Sequence, residues 1–214
     1  MNARHISREL FILVLSQLPN IKKKLERVQI NDLIEQAIRT LTNEVSSILS
    51  IARGELVKAD QDLHEASLRS KPEVVREILK SGLDNTHHAL ELISYCNSIP
   101  IFSAMAEKQE IRDFTIKLLK LYQDNPEKVD KIINESLEGG WNIDTIYSID
   151  KNIITLAIVE IMNYENTSHK IIIDEAIEIA KKFGSEESPT FINGVLSGVV
   201  KILGISESKT KSLK

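Results

Sequence analysis

The stretch AKKFGSEESPTFINGVL, residues 180–196, ends one helix and starts the next within a few residues. Its paired lysines stand where the carbonyl end of a helix favours cations, and Gly184 is the residue type that often follows such an end in the left-handed conformation. Ser188 is a good N-cap, and Pro189 suits the first helical position because its missing N–H would have no partner there. The stretch therefore predicts a sharp corner between two helices.

The same corner carries two unusual pairs of residues. Glu186 and Glu187 lie beside the positive end of the second helix dipole, which stabilises both carboxylates. Gly194 and Gly198 lie four residues apart on one face of that helix, where each glycine costs roughly 1 kcal/mol relative to alanine. We expect these glycines to allow another helix to pack closely.

Outward from the corner, nearly every segment has helical spacing, and no two-residue alternation appears. The first helix is predicted from Ala3 to Leu18, with a broad apolar arc that faces the core. Its opposite arc is polar and holds His5, Arg8, Glu9 and Ser16, with Arg4 at its border. The fold class is therefore predicted to be all-α.

A longer helix is predicted over residues 30–66. Its apolar residues follow a spacing of four, three and four, a period that goes with a nearly straight or gently right-handed helix: Ile30, Ile34, Ala37, Leu41, Val45, Ile48, Ala52, Leu56, Ala59 and Leu63. Pro72 opens a second segment that we expect to fold back antiparallel, with a possible break near Gly82. Together the two segments predict a helical hairpin arm.

Shorter helices follow Pro100. They are predicted over residues 107–123, from an N-cap at Asn125, from an N-cap at Asp150 through Ile161, and over 171–183 and 189–203. The last residues, 206–214, have nothing to bury and are expected to be disordered.

Composition sets few limits on function. The chain has 214 residues, 42% of them hydrophobic, and a net charge of -4, so any affinity for nucleic acid must come from a local patch. Cys96 is the only cysteine, which excludes an internal disulfide and favours a reducing compartment, with the cytoplasm as the default. No segment approaches the ~20 apolar residues of a membrane span, and the run from Leu10 to Leu15 is too short for a signal peptide.

Enzymatic motifs are absent from the sequence. It has no phosphate-binding glycine loop, no nucleophile elbow and no zinc-protease motif. His87 and His88 are adjacent and point to different sides of a helix, which favours surface or packing roles over metal binding. We therefore predict no catalytic residue, no metal site and no cofactor.

The polar arc of the first helix is the strongest candidate for a binding surface. Arg4 and Arg8 lie one turn apart with His5 beside them, so that all three could face a phosphate backbone. The alternative is that these charges are only solvated. Arginines at a helix start also oppose the helix dipole, a small cost that a function would explain.

Three stretches carry a resemblance to a known family. ARHISRELFILVLSQ, IDKNIITLAIVEIM and IIIDEAIEIAKKFGSEESPTFINGVL together resemble the NusB family of transcription antitermination proteins. The last stretch is the most specific, because it combines a cap, an apolar helix, F-G, an acidic pair and F-x-N-G-V-L in order. The resemblance covers the first ~18 residues and the chain from about Ala106 onward, and residues 19–100 look like the helical insertion of longer, cyanobacterial-type members.

The resemblance implies two small helical bundles with an inserted hairpin. Residues 1–18 would form the first bundle helix, residues 19–100 the arm, residues 101–205 the remaining helices and residues 206–214 the tail. The family binds boxA-type single-stranded RNA of ribosomal RNA operons together with a small-subunit ribosomal protein, NusE, within an RNA polymerase antitermination complex. By the same resemblance, the RNA contacts are expected to come from Arg4, His5, Arg8, Glu187 and Phe191.

This sequence departs from the family pattern in the first helix, where His5 and Ile6 occupy places that often hold arginine. At the corner, a carboxylate such as Glu187 is suited to accept hydrogen bonds from base amino groups, and Phe191 is suited to stack on an unpaired base. The alternative for Phe191 is a core position beside Ile192. A rival function is a helical adaptor without RNA affinity, and a remoter one is an accessory domain of an RNA-modifying enzyme.

Overall fold

A computed structural model describes residues 3–17, 27–69, 71–137, 139–164 and 167–205. These residues form helices and connecting turns without a β-strand, so the predicted all-α class is confirmed. The helices are α1 (Ala3–Gln17), α2 (Arg27–Leu68), α3 (Pro72–Ala106), α4 (Gln109–Asp124), α5 (Pro126–Ser136), α6 (Ser148–Asn163), α7 (His169–Phe183) and α8 (Ser188–Ile202). The tail predicted over residues 206–214 lies outside the described residues.

Two expected interruptions do not end a helix. α3 continues unbroken past Gly82 and through Pro100 to Ala106. Gly82 is buried against α2, where a methyl group at its Cα would lie 3.5 Å from the carbonyl oxygen of Ala59. The glycine therefore allows close packing instead of breaking the helix.

The chain divides into two compact units. One, the bundle unit, holds the described residues of Met1–Ala37 and Lys108–Lys214, and the other, the hairpin unit, is Ile38–Glu107. In the bundle unit, α6 packs against α1, α4, α5, α7 and α8. Every residue of α6 from Ile153 to Ile161 is buried, as expected for a central helix that is apolar on all sides.

Small residues form the contact between α2 and α3 in the hairpin unit. Over part of each helix the buried positions recur every seven residues: Ala52, Ala59 and Ala66 in α2, and Gly82, Ala89 and Cys96 in α3, while Ile99 and Phe102 are buried nearer the end of α3. The predicted stripe is therefore wrong at Leu56 and Leu63, which are 41% and 56% exposed. Small side chains let the two helix backbones approach closely. Alanine and glycine therefore lie in the contact, and the larger leucines lie on the solvent side.

Within the described residues, no helix combines sufficient length with sufficient apolar character to span a membrane.

Candidate nucleic-acid interface

The first turn of α1 presents one exposed cation, Arg4. Its guanidinium carbon lies 5.6 Å from the ring centroid of Phe114 on α4, within the range of a cation–π contact. That ring in turn lies 5.8 Å from the ring of Tyr164. The aromatic contact holds the arginine stem against the bundle while the residue remains open to solvent.

Arg8 occupies a different environment, and the expectation that it lies on an open polar face is wrong. The residue is 4% exposed. Its Nε and Nη2 donate to the two carboxylate oxygens of Glu160 at 2.8 and 3.1 Å, and its Nη1 lies 3.2 Å from Glu175 Oε2. Glu160 comes from the central helix α6, so this bidentate pair fastens α1 to the middle of the bundle unit.

His5 and Glu9 extend this ion-pair group toward the end of α7. His5 Nδ1 lies 2.9 Å from Glu175 Oε2, and its Nε2 lies 3.2 Å from Glu9 Oε1. Lys182 Nζ donates to both oxygens of Glu9 at 2.8 and 2.9 Å. The pairs of His5 with Glu175 and of Lys182 with Glu9 join residues far apart in the chain, so no local spacing predicts them, whereas His5 and Glu9 lie one helical turn apart.

Proton affinities in the group follow from these contacts. The hydrogen bond with Glu9, together with that to Glu175, raises the pKa of His5 against the opposing effect of burial. Burial alone would raise the pKa of Glu9, but the hydrogen bonds from His5 and Lys182 outweigh it and leave this pKa below its usual value. Both shifts favour the charged forms of His5 and Glu9.

The ion-pair group changes the electrostatics expected for α1. Arg8 and Lys182 face three carboxylates, those of Glu9, Glu160 and Glu175. Most of the positive charge that the sequence places here is therefore compensated inside the bundle unit. Arg4 is the basic residue of the opening turn that stays exposed.

The corner between α7 and α8 depends on Gly184, for a reason other than the expected one. Its φ is -92°, which any residue adopts, so the predicted left-handed conformation is wrong. A methyl group at its Cα would lie 2.6 Å from Ser188 Cβ and 2.8 Å from the carbonyl oxygen of Ala180. Gly184 is required because the chain turns tightly over its own helix end.

Ser188 closes this turn instead of capping α8 in the predicted way. Its Oγ accepts a hydrogen bond from the Ser185 N–H at 2.9 Å, and α8 begins at Ser188 without a side-chain cap. The Ser188 side chain also lies near Asp150, on the first turn of α6. Burial raises the pKa of the Asp150 carboxyl, against a lowering effect of the Ser188 hydroxyl.

The two glycines of α8 have different surroundings. A methyl group at Gly198 would come 3.3 Å from the carbonyl oxygen of Ser136, so the expected close helix packing is present there, against α5. At Gly194 such a methyl group would meet no atom within 4 Å, and the residue is exposed. The expectation of close packing is therefore wrong for Gly194, which leaves a bare patch of helix surface.

Phe191 lies between core and solvent. Its neighbours Ile192, Val195 and Val199 are buried, whereas Phe191 itself is only partly buried and Glu187, one turn earlier, is exposed. The ring of Phe191 lies 6.2 Å from the ring of Trp141, tilted by 55°. Phe191 thus does not occupy the core position that was its alternative. Its contact with Trp141 adds an aromatic residue that sequence reasoning missed.

The opening turn and the corner belong to one unit and are joined by α7. Glu175, on the middle of α7, contacts His5 and Arg8, and Lys182, near its end, contacts Glu9. The helix segment from Glu175 to Phe183 spans about 12 Å. In the part of the chain that the structure describes, no group of three or more His, Cys, Asp and Glu side chains is arranged to hold a metal ion.

Comparison with known proteins gives a consistent result. The model of the NusB family matches residues 84–201. The chain belongs to the NusB family. A protein of Picosynechococcus named transcription antitermination protein NusB is 30% identical over 96% of this chain and 96% of its own length, and one of Trichodesmium erythraeum with the same name is 31% identical over 92% and 94%.

A third relative, from Gloeobacter violaceus, has the same name and is 28% identical over 97% of this chain and 98% of its own length. Because these matches run almost from end to end, they include the hairpin, and the expected likeness to the long cyanobacterial NusB form is confirmed. A solved structure of Thermotoga maritima NusB is also similar, with 24% identity, a TM-score of 0.42 and coverage of 70% of this chain and 90% of that one.

Proposed function

We propose that this chain is a transcription antitermination factor that binds boxA-type RNA of ribosomal RNA operons, jointly with a small-subunit ribosomal protein, NusE, in an RNA polymerase antitermination complex. Its membership of the NusB family, and the name shared by its cyanobacterial relatives, support the antitermination role. It acts by binding and not by catalysis.

The observation that carries the RNA proposal is the position of Phe191. Its ring is partly open to solvent while the next residues on the same helix enter the core, and Glu187 lies exposed one turn away. A partly exposed ring can stack on an unpaired base, and a carboxylate beside it can accept a hydrogen bond from the base's amino group. Phe191 and Glu187 are thus suited to contact bases.

Phosphate contacts would come from the first turn of α1. Arg4 is exposed and is suited to meet the RNA backbone directly. His5 is partly exposed, and its raised pKa keeps it cationic over a wider pH range. Arg8 is buried and would act by holding α1 in place, so its predicted RNA contact requires that the pair with Glu160 open.

A salt series with matched RNAs tests the proposal. We expect boxA-like RNA to bind more tightly than a scrambled sequence in the presence of the ribosomal protein, with affinity that falls as salt rises. Arg4→Ala should reduce the salt slope by about one, whereas Arg53→Ala, which removes an exposed arginine of the hairpin unit, should leave it unchanged. Equal binding of both RNAs, with the partner present, contradicts the proposal.

A helical adaptor without RNA affinity is the second candidate, and two observations favour it. The cations Arg8 and Lys182 are compensated by carboxylates, which weakens any attraction for phosphate. The hairpin unit also exposes large apolar side chains of the kind that bind proteins, such as Leu83 at 71% and Leu63 at 56%. Binding of the ribosomal protein without any effect of RNA would support this candidate.

A further inference from the structure

Trp141 is the residue of the bundle unit whose position the proposed contacts leave unexplained. It is the only tryptophan of the chain, and 55% of its surface is exposed. Its ring lies 6.2 Å from the ring of Phe191 at an angle of 55°. Because more than half of the residue is exposed and its ring is not stacked flat on that of Phe191, the indole is accessible to a third ring.

The loop between α5 and α6 holds Trp141 in this exposed position. Gly139 and Gly140 precede it with φ values of 71° and 84°, a left-handed conformation that favours glycine. The Ile143 N–H, just after it, donates to Asn134 Oδ1 on α5 at 2.9 Å. The backbone just after Trp141 is thus tied to α5 before any ligand arrives, which lowers the entropy lost on binding.

A short turn stabilises the loop further. The Asn142 N–H donates to Thr145 Oγ1 at 3.0 Å, and the Asp144 N–H donates to Asn142 Oδ1 at 2.9 Å. These bonds lie directly after Trp141 in the chain. The hydrogen bonds of this turn therefore hold the loop in a conformation that places Trp141 outside the core.

The surface around the two rings is polar or bare. On the face that carries Phe191, the exposed residues within one turn are Glu187, just before α8, and Gly194, on α8. Gly194 has no side chain and open space above it. A small aromatic patch with hydrogen-bonding groups at its edge and a bare backbone beside it fits a planar base better than the extended apolar face of a protein partner.

We propose that Trp141 and Phe191 together form a stacking platform for unpaired RNA bases, with Trp141 as a second stacking residue. This inference rests on the proposed RNA-binding function and assigns a further residue to it. Stacking on an aromatic ring tolerates any base, so the platform would add affinity while Glu187 and its neighbours discriminate among bases.

Intrinsic fluorescence tests the platform directly, because Trp141 is the only source of tryptophan emission. We expect boxA-like RNA to quench this emission in proportion to the fraction bound. Trp141→Leu should weaken RNA binding between about fivefold and a hundredfold, with an unchanged salt slope, since no charge is lost. Trp141→Phe keeps a ring and should restore most of the affinity.

Tyr147 provides a matched control. It is an aromatic residue of the same loop region, 73% exposed, and Tyr147→Ala should leave RNA affinity unchanged. Thermal unfolding of each variant checks that the bundle unit stays folded. Wild-type affinity in Trp141→Leu, with no quenching in the unmodified chain, would overturn the platform while the proposed function stands.

Two other outcomes are equally decisive. If Trp141→Leu binds RNA normally but loses the ribosomal protein, the two rings form a protein contact and the platform is rejected. If the unmodified chain does not distinguish boxA-like from scrambled RNA even with the partner present, the proposed function fails first and the platform fails with it.

Discussion

The opening turn of α1 and the corner around Phe191 hold their functional side chains in opposite ways. In α1, the arginine that looked most accessible on a helical wheel, Arg8, is 4% exposed and bonded to Glu160. At the corner, an aromatic residue that composition would assign to the core, Trp141, is 55% exposed. Residue type alone therefore predicts neither surface, because exposure depends on what distant helices bring to each position.

Among the variants that test this contrast, removal of Arg8 should have the largest effect on stability. Arg8→Ala leaves the Glu160 carboxylate buried without its partner, so we expect a loss of about 3–5 kcal/mol in the free energy of unfolding, measured with urea. Arg4→Ala removes an exposed residue and a cation–π contact and should cost less than about 1 kcal/mol. Similar small losses for both variants would mean that Arg8 is not structurally distinct from Arg4.

A double variant separates burial of charge from loss of packing. Arg8→Met combined with Glu160→Leu replaces the ion pair with apolar side chains of similar length. Such replacements of buried pairs are often neutral, so this variant should recover most of the stability that Arg8→Ala loses. If the double variant does not regain stability, the Arg8–Glu160 pair stabilises the bundle unit beyond compensating its own buried charges.

Gly184 tests how tightly the corner is built. Gly184→Ala places a methyl group 2.6 Å from Ser188 Cβ and should destabilise the bundle unit by about 1–3 kcal/mol in thermal or urea unfolding. We also expect weaker RNA binding, because Phe191 follows the distorted turn. An unfolding free energy equal to that of the unmodified chain would contradict the tight turn.

Gly194 should behave in the opposite way. Gly194→Ala meets no atom within 4 Å and improves helix propensity, so we expect stability to rise by up to about 1 kcal/mol. If a base lies over the bare surface beside Phe191, RNA affinity should fall in the same variant. A more stable protein with unchanged affinity would place the RNA elsewhere on α8.

The smallest expected effect is a pH dependence carried by His5. Because its pKa is raised in the folded state, its stabilisation is fully present below about pH 6.5 and disappears as pH rises through the raised value. The stability difference between the unmodified chain and His5→Gln should therefore shrink with increasing pH, from under about 1 kcal/mol. An equal difference at every pH would contradict the coupling of His5 to Glu9 and Glu175.

Local signals predicted much of the fold. The span of α1, the proline at the first position of α3 and the ends of α7 and α8 follow from helical spacing and from the residue types near helix ends, which act within a few residues. The corner was found for this reason, although Gly184 serves close approach and not a positive φ. Patterns of this kind state where helices begin and end.

Long-range pairing could not be predicted in the same way. Arg8 meets Glu160 across 152 positions of sequence, and no spacing within α1 announces a carboxylate from α6. In the hairpin unit, the leucines dominated the hydrophobic pattern, but close backbone approach selected Ala59 and its small neighbours. The position of Trp141 could have been predicted from local sequence, because this lone tryptophan directly follows two glycines, which are typical of a surface loop.

The small-residue seam should make the hairpin unit unfold more readily than the bundle unit. Burying an alanine removes about one methyl group from water, worth roughly 0.8 kcal/mol, against roughly 1.5–3 kcal/mol for a large aliphatic side chain of the kind that fills α6. Backbone amide protons in the helix turns around Ala52 or Ala89 should therefore exchange with solvent long before those in the turns around Ile158. Mild warming would then unfold the hairpin unit while the helices that carry Arg4 and Phe191 keep their native arrangement.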